Sequence, residues 1–506
     1  MSGKLFISNN YIKNYNLIIH QLTKKRKSHL ILYLILICAF VMRLWKIDFQ
    51  SLWLDELHTM NESDPDIGWK DMLSYLKCCD QHPPLFFFLT RISFEFFGHT
   101  AMSVRLISVI AGTVSVWGMY LLGKEILNRN LGLIAAALTT VNFYNLYYSR
   151  EARGYIMAFL FATLSFLFLI RLLKKLSVKN SILYSVFSLL LLYSHYYSLF
   201  VLASQIAIII MLFFFTEKND RKSYIKCFLL SGLIVAGGYL PWLPHLQAIS
   251  NIQSFWVSPV PITFFYDFFF EYFGHMKFLK PILLALLMVY AFKVLYAEKK
   301  LTSNPVKSNP LWFSFIVLSI WIIVTYLIPF LRSLLVVPML FPRYTIVVLP
   351  AFLIIIAYAI ELINFKPVKM LVLSAFIIIS LVTIIISRRY YSKVSKSQFR
   401  EMTQFVVENN KENYPIINEL VSWHHQYYFK NFKFKPTMLE GKKVSIVDSI
   451  LNSADPKYQV KGFWIVGAHG EQPLTPEQKK GLDTAYVMRL EHAFYDAWAE
   501  LYTLKK

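Results

Sequence analysis

Up to about Arg388 the chain is a succession of long apolar runs separated by short polar stretches. Runs long enough to cross the roughly 30 Å of bilayer hydrocarbon recur at 29–47, 104–123, 131–148, 155–172, 181–196, 199–215, 225–243, 278–296, 311–331, 344–363 and 368–387. Backbone groups in lipid must be satisfied within the segment, and the short alternating pattern of a membrane barrel is missing. The pattern therefore predicts about eleven membrane-spanning helices. A shorter apolar stretch, PPLFFFLTRISFEFFG at 83–98, holds Arg91 and Glu95 at a spacing that pairs on a helix. It is read as a helix along the membrane surface, because counting it as a span would invert the charge pattern of every later loop.

Beyond Tyr390 the apolar runs give way to mixed segments. These predict a helix over 397–409, a strand near Ile416, a helix around His425, strands near Val444 and over 463–466, a helix over 476–480, and paired strands over 486–491 and 500–504. The fold class is thus mainly α: a polytopic membrane helix bundle over 1–389, with an outer loop of interfacial helices at 48–103, and a small α/β soluble domain over 390–506. There is no internal repeat, low-complexity tract or Gly-rich phosphate loop.

Composition agrees. Of 506 residues 56% are hydrophobic and only 16% charged, and a mean hydropathy of +0.46 excludes water as the solvent for most of the chain. The formal charge of +22 would suggest a nucleic-acid partner in a soluble protein. Here no nucleic acid is expected, since the basic residues lie in the N-terminal tail and in alternate short loops: Lys124 and Arg129, then Lys174 and Lys175, Lys218 to Lys226, Lys299 to Lys307, and Lys366 and Lys369. That is the positive-inside pattern. It predicts a multi-pass protein of the cytoplasmic (inner) membrane with a cytoplasmic N-terminus, an uncleaved first span after Lys24-Lys25-Arg26-Lys27, and an extracytoplasmic C-terminal domain. Cys38 and Cys227 lie in apolar runs, and the adjacent Cys78 and Cys79 are expected not to bridge, so no disulfide framework is predicted.

This topology gathers ionisable residues on one face, where lipid would not tolerate them without a partner or purpose. In SLWLDE at 51–56, the neighbouring Asp55 and Glu56 repel, so one is expected to hold its proton more tightly and serve as a base. Taken alone, an acidic surface loop explains the pair better. Asp80 and His82 precede two prolines that open the interfacial helix, where a helix-entry signal is an equal explanation. In YSREAR at 148–153, Arg150, Glu151 and Arg153 occupy a tight turn; guanidinium groups there can bind a phosphate bidentately, with snorkelling anchors as the plain alternative. His195 sits in another such turn, and Arg343 and Tyr344 open the tenth span beside Pro342. Together these supply acid, base and phosphate-binding groups on one side of the membrane. A lipid-phosphate substrate fits them, its tail in the bilayer and its head group in the cluster.

With SLWLDE at 51–56, DQHPPLFFFL at 80–89, VRLISVIAG at 104–112, YYSREARGY at 147–155, SHYYSLF at 194–200 and PRYTIVVLP at 342–350 in this order, the chain resembles the GT-C superfamily of membrane glycosyltransferases. The resemblance is to the bacterial branch related to dolichyl-phosphate-mannose protein mannosyltransferases and aminoarabinose or galacturonosyl transferases. It implies transfer of a sugar, with inversion, from a polyprenyl-phosphate donor to an envelope acceptor, which is a lipid, a glycan or a protein. Asp55 would be the general base and Glu56 would orient the acceptor or tune that base. Arg150, Arg153 and Arg343 would stabilise the departing phosphate, Glu151 matches a second acidic position, and Asp80, His82, His195 and Tyr344 would line the substrate site. Relatives often have a small residue after the Asp-Glu pair, whereas Leu57 and His58 follow here, which bears on acceptor chemistry. No cofactor is predicted, although Asp55, Glu151 and His82 have the ligand chemistry for a divalent ion. In the C-terminal domain Trp423, His424 and His425 are expected to be packing or surface residues.

A transporter or flippase of a lipid-linked or small substrate is the main rival. That class shows paired halves with broken helices and charges near the membrane midplane, and neither pattern is present. A membrane scaffold would leave the charged cluster without a role.

Overall fold

The computed structural model describes residues 26–80, 82–251, 256–297, 305–419 and 423–505, and of Lys307, Ser308 and Trp423 the backbone alone. Lys24, Lys25, Lys299 and Lys300 of the positive loops lie outside them. Each of the eleven apolar stretches is helical. In chain order the helices are α1 (Arg26–Leu44), α2 (Leu54–Glu62), α3 (Trp69–Cys78), α4 (Leu85–Phe97), α5 (Ala101–Ile126), α6 (Arg129–Val141), α7 (Phe143–Tyr148), α8 (Tyr155–Lys174), α9 (Val178–Leu192), α10 (Ser198–Phe213) and α11 (Arg221–Tyr239). After them come α12 (Leu243–Ser250), α13 (Phe264–Tyr272), α14 (Leu279–Leu295), α15 (Pro305–Ser308), α16 (Pro310–Leu335), α17 (Leu349–Glu361) and α18 (Lys366–Val382).

Among the described residues seven helices are long and apolar enough to cross a membrane, so the expected count of about eleven is not reached by length. At about 1.5 Å per residue, the 15, 16 and 17 residues of α9, α10 and α14 fall short of a full crossing. The run expected over 131–148 is divided at Asn142, whose side chain accepts from Asn145 N and starts α7. α4, with 13 residues, is shorter still, and the expected Arg91–Glu95 ion pair forms across one of its turns at 3.3 Å. Close approach of α5 to the turn after α7 requires a glycine: a Cβ on Gly112 would come within 2.0 Å of Ser149 Oγ.

The C-terminal segment forms a five-stranded sheet in the order β2-β1-β3-β5-β4, with β1 (Ile416–Asn418), β2 (Met438–Glu440), β3 (Gly462–Ala468), β4 (Tyr486–Phe494) and β5 (Ala497–Leu504). β1 runs parallel to β2 and β3, while β5 is antiparallel to β3 and β4, with Trp464 opposite Leu501. Around the sheet lie α19 (Phe399–Asn409), α20 (Trp423–Asn431), α21 (Lys443–Asn452) and α22 (Pro476–Leu482). The strand expected near Val444 is instead the start of α21. Ile446, Val447 and Ile450 fall on one buried helical face, and the strand lies just before it.

Side chains alternate between the two faces of the sheet. Ile417, Phe463, Ile465 and Tyr502 pack against α21 and α22. Ile416, Trp464, Val466, Ala499 and Leu501 share a different core with α19 and α20, and this core also takes in Leu52, Leu57, Met60, Phe94 and Val104 of the helical region. The sheet domain and the segment that carries Asp55 are therefore packed as one hydrophobic unit. One expectation fails outright: Cys78 and Cys79 are bonded to each other. Cys79 ends α3 with a non-helical backbone, which turns the second side chain toward the first.

Candidate active site

Asp55 and Glu56 stand in the first turn of α2, where acidic side chains suit the positive end of the helix dipole. Neighbours on a helix point about 100° apart, and here that angle separates two environments. The Asp55 carboxylate is 3.2 Å from Arg343 Nη1 and faces a cavity. Glu56 is fully buried on the opposite side: it accepts from Arg105 Nε at 2.9 Å, from Arg105 Nη2 at 2.6 Å and from Ala152 N at 2.9 Å. Lys396 Nζ lies 3.1 Å away. Of the two roles expected of Glu56, orienting the acceptor is corrected by this enclosure, because the carboxylate does not face the cavity, while tuning Asp55 from behind is compatible with it.

Residues 149–154 form the turn between α7 and α8. Gly154 lets it approach the next turn, since a Cβ there would meet Ser194 O at 3.0 Å. Arg43, fully buried on α1, anchors the same turn by donating to Ser149 Oγ at 3.1 Å and Asn145 Oδ1 at 2.6 Å. The three charged residues of the turn diverge. Arg150 does not reach the cavity: it donates to the carbonyls of Arg43 at 3.0 Å, Lys46 at 2.9 Å and Trp45, and lies over the rings of Tyr390 and Tyr391. It satisfies the carbonyls at the end of α1, which have no helical partners. Glu151 is buried behind the turn, both carboxylate oxygens without a hydrogen bond among the described residues, and Lys396 Nζ is 3.9 Å from it. Arg153 enters the cavity wall and donates to Thr59 Oγ1 at 3.2 Å.

The cavity, about 290 Å³, is lined at its polar end by Asp55, His82, Arg153, Tyr155, His195, Arg343 and Tyr344. Leu199, Phe200, Leu246, Ile249, Val337 and Met339 continue it as an apolar channel. Arg343 is held among the rings of Tyr155, Trp256, Phe341 and Tyr344, at 5.1 to 5.6 Å, and its Nε has no hydrogen-bond partner among the described residues. Such a guanidinium keeps donors available for an anion. His195 Nδ1 accepts from Tyr197 N at 3.1 Å, which leaves the proton on Nε2 as a donor. Asp80 stands behind His82, its Oδ1 3.0 Å from His82 Nδ1, and orients that ring. Six of the ten expected residues line this cavity, namely Asp55, His82, Arg153, His195, Arg343 and Tyr344. Asp80, Glu56, Arg150 and Glu151 stand behind it. Sequence reasoning missed Tyr155, Trp256 and Arg332, and also Lys396 and Arg105, whose place in apolar runs or a linker gives no pairing signal.

Electrostatics differ from the simple repulsion of adjacent acids. Burial pushes Asp55 up, but Arg153 and Arg343 outweigh it and hold the carboxyl below its usual range. Burial acts likewise on Glu56, where Arg105 and Lys396 prevail and lower it to about 2. The raised acids are Glu62 and Glu151. Burial and the charge of Asp80 push Glu62 well up, and burial raises Glu151 to about 7 despite Lys396. Burial and Arg343 keep His195 neutral near about 3. The trio Asp55, Glu151 and His82 is not gathered, because Glu151 lies behind the cavity, and no group of three or more metal-ligating side chains is found among the described residues.

Residues 81–243 match the family model of dolichyl-phosphate-mannose-protein mannosyltransferases. The fold is similar to that of ArnT from Cupriavidus metallidurans bound to undecaprenyl phosphate, with a TM-score of 0.57 and 12% identity over 93% of this chain and 97% of that one. It is also similar to the Archaeoglobus fulgidus oligosaccharyltransferase in complex with Zn and sulfate, with a TM-score of 0.53 and 13% identity over 86% of this chain and 67% of that one. Comparison with curated sequences finds no match. The chain is thus a multi-pass membrane protein that shares the fold of these solved structures, with the family match confined to residues 81–243. The ArnT likeness takes in the small C-terminal domain as well as the helical bundle, since it covers nearly the whole of both chains.

Proposed function

We propose that this protein transfers a sugar from a polyprenyl-phosphate donor to a hydroxyl group of an envelope lipid, glycan or protein, with inversion, at the outer face of the cytoplasmic membrane. The observation that carries the reading is the single cavity in which Asp55, Arg153, Arg343 and two histidines converge at the end of an apolar channel. Structures of similar fold were solved with undecaprenyl phosphate and with a dolichol-phosphate and an inhibitory peptide, and the same class of lipid suits this channel.

In the proposed reaction Asp55 takes the proton from the acceptor hydroxyl while the acceptor oxygen bonds to the anomeric carbon. The bond from that carbon to the phosphate oxygen breaks on the opposite face, and polyprenyl phosphate departs. Arg343 and Arg153 stabilise the charge gathering on the phosphate, an effect strengthened by fixed donors in a water-poor site. Arg343 has a second effect. While it neighbours Asp55 it weakens the base, and a donor phosphate that shares the guanidinium relieves that hold. Base strength thereby rises when donor is bound, which suppresses futile proton uptake in the empty site. His195 Nε2 and His82 would meet sugar hydroxyls, and Tyr344 and Trp256 would stack on the ring. Asp80 acts through His82.

The positive loops and the placement of the cavity support a cytoplasmic N-terminus and an extracytoplasmic C-terminal domain. Mass spectrometry of envelope lipids and glycans from cells with and without the gene tests the reading. Loss of one sugar-sized unit from a lipid, glycan or protein, with accumulation of the polyprenyl-phosphate sugar, is expected; identical profiles would overturn it.

A further inference from the structure

Between the end of α18 and the start of α19 the chain passes from the bundle to the sheet domain, and one side chain of this linker turns inward. Lys396 is 8% exposed, although a lysine in a linker would ordinarily be solvated. Its ammonium lies 3.1 Å from Glu56 Oε2 and 3.9 Å from Glu151 Oε2, over the rings of Trp53 and Tyr147. The two acids it meets belong to the two segments that carry the cavity's charged groups. Glu56 follows Asp55, and Glu151 is two residues before Arg153. Glu56 also accepts from Ala152 N, so the carboxylate already ties the two segments together, and Arg105 answers only one of the two acids.

The linker is itself held by the sheet domain. Ser397 Oγ donates to Asp496, Gln398 N donates to Tyr495 O at 3.1 Å, and Tyr495 N donates to Gln398 Oε1 at 2.8 Å, all at the β4–β5 turn. Further contacts fix the approach to Asp55: Tyr428 Oη accepts from Leu52 N at 2.7 Å, and Arg400 donates to the carbonyls of Asp48 and Phe49.

We propose that Lys396 is a positioning residue for the transfer reaction, a cation delivered by the C-terminal domain that holds the Asp55 and Arg153 segments in register by neutralising Glu56 and Glu151 together. This rests on the proposed glycosyl transfer, and it gives the sheet domain a task in the reaction. Without the ammonium, Glu56 keeps Arg105 while the buried Glu151 loses the cation paired with it, and the segments separate or Glu151 takes up a proton.

Full-length Lys396→Met, Lys396→Arg and the double variant Lys396→Met, Glu151→Gln test it, in lipid nanodiscs with a synthetic polyprenyl-phosphate sugar. Lys396→Met is expected to lower kcat about 10- to 100-fold with the donor KM within twofold, and Lys396→Arg to restore most of it. The double variant is expected to regain at least fivefold, because the unmatched acid has gone. Amide hydrogen exchange over residues 48–62 provides a readout independent of turnover: faster exchange in Lys396→Met, with recovery in Lys396→Arg. Wild-type kcat and unchanged exchange in Lys396→Met would overturn the proposal, as would a double variant no better than the single one. Should Lys396→Met fail to fold, Lys396→Arg and the double variant carry the same comparison. If the wild type itself transfers no sugar, the functional reading fails, while the exchange result still decides the positioning of the 48–62 segment.

Discussion

Asp55 and Glu56 are adjacent in sequence and chemically alike, yet one carboxylate faces a cavity beside a partly free arginine while the other is enclosed by Arg105, Lys396 and a backbone amide. Their charges are matched by different means. Around Asp55 the guanidinium of Arg343 lines the cavity, so a phosphate can join the pair from that side without breaking the fold. Around Glu56 a guanidinium, an ammonium and a backbone amide converge on one carboxylate, and nothing can enter without leaving a buried charge unpaired. What separates them is a single step of helical rotation. Chemistry on such a short helix is thus assigned by the direction in which a side chain points, and an acidic pair read as a unit hides that division of labour.

Exchanging each member tests the contrast most severely. Asp55→Asn is expected to lower kcat by about 10²- to 10⁴-fold, the usual contribution of a general base, with donor affinity and melting temperature preserved. Turnover and donor binding measured on the same purified sample check this, and wild-type kcat would remove Asp55 from the base role. Glu56→Ala is expected to do the reverse. It strands Arg105 in the core and costs about 3 to 5 kcal/mol of stability, visible as a fall in thermal midpoint in detergent, with lost activity tracking the folded fraction.

A subtler comparison sets Glu56 against Glu151, the two acids that share Lys396. Burial raises Glu151 to about 7 from its usual 4.5. The folded chain therefore binds that proton more tightly than the unfolded chain does, while Lys396 opposes the rise and keeps an ionised fraction at neutral pH. Its contribution to stability is fully present below about pH 4.5 and is lost as pH rises through about 7, an effect on the order of 3 kcal/mol. Glu151→Gln should flatten the fall in thermal midpoint between pH 5 and pH 8. An unchanged pH profile would show that Glu151 is ionised in the fold.

On the cavity side, Arg343→Ala should weaken binding of polyprenyl phosphate by about 10- to 100-fold, as befits a charge-assisted contact of about 1.5 to 3 kcal/mol. Titration of a short-chain polyprenyl phosphate into nanodisc-embedded protein measures it. Unchanged affinity would take Arg343 out of the phosphate site and leave it only the task of holding Asp55.

Much of this arrangement was legible in the residues themselves. Apolar run length marked the helical stretches, because lipid allows few other solutions, and short β-like runs marked β3, β4 and β5. The segments that supply Asp55, His82, Arg153, His195 and Arg343 stood out as charges where lipid should exclude them. Other features depend on three-dimensional approach. Lys396 lies in an unremarkable polar linker, and only the fold carries it to Glu56. Arg105 looks like a lone charge in an apolar run until Glu56 is placed beside it. The cavity aromatics Tyr155, Tyr196, Tyr197 and Trp256 could not be told from interfacial anchors, which have the same composition. Val444 misled because a β-branched residue between lysine and serine suits a strand locally, while the buried Ile446, Val447 and Ile450 of α21 settle the helix through tertiary packing.

The smallest expected effect separates two arginines that sequence alone treats as equals. Arg150 and Arg153 are three residues apart in one turn, but Arg150 spends its donors on the carbonyls that end α1 and rests on Tyr390 and Tyr391. Arg153 retains a buried Nε with no hydrogen-bond partner among the described residues. Arg150→Gln should therefore leave donor affinity within twofold and cost about 1 to 2 kcal/mol of stability, the value of a few hydrogen bonds to a helix end. Arg153→Gln should shift donor affinity by more than that while changing the thermal midpoint less. Equal losses of affinity in the two variants would mean that the α1 terminus moves on donor binding and that Arg150 changes partners. The site would then be assembled by the lipid, with α1 as its moving part.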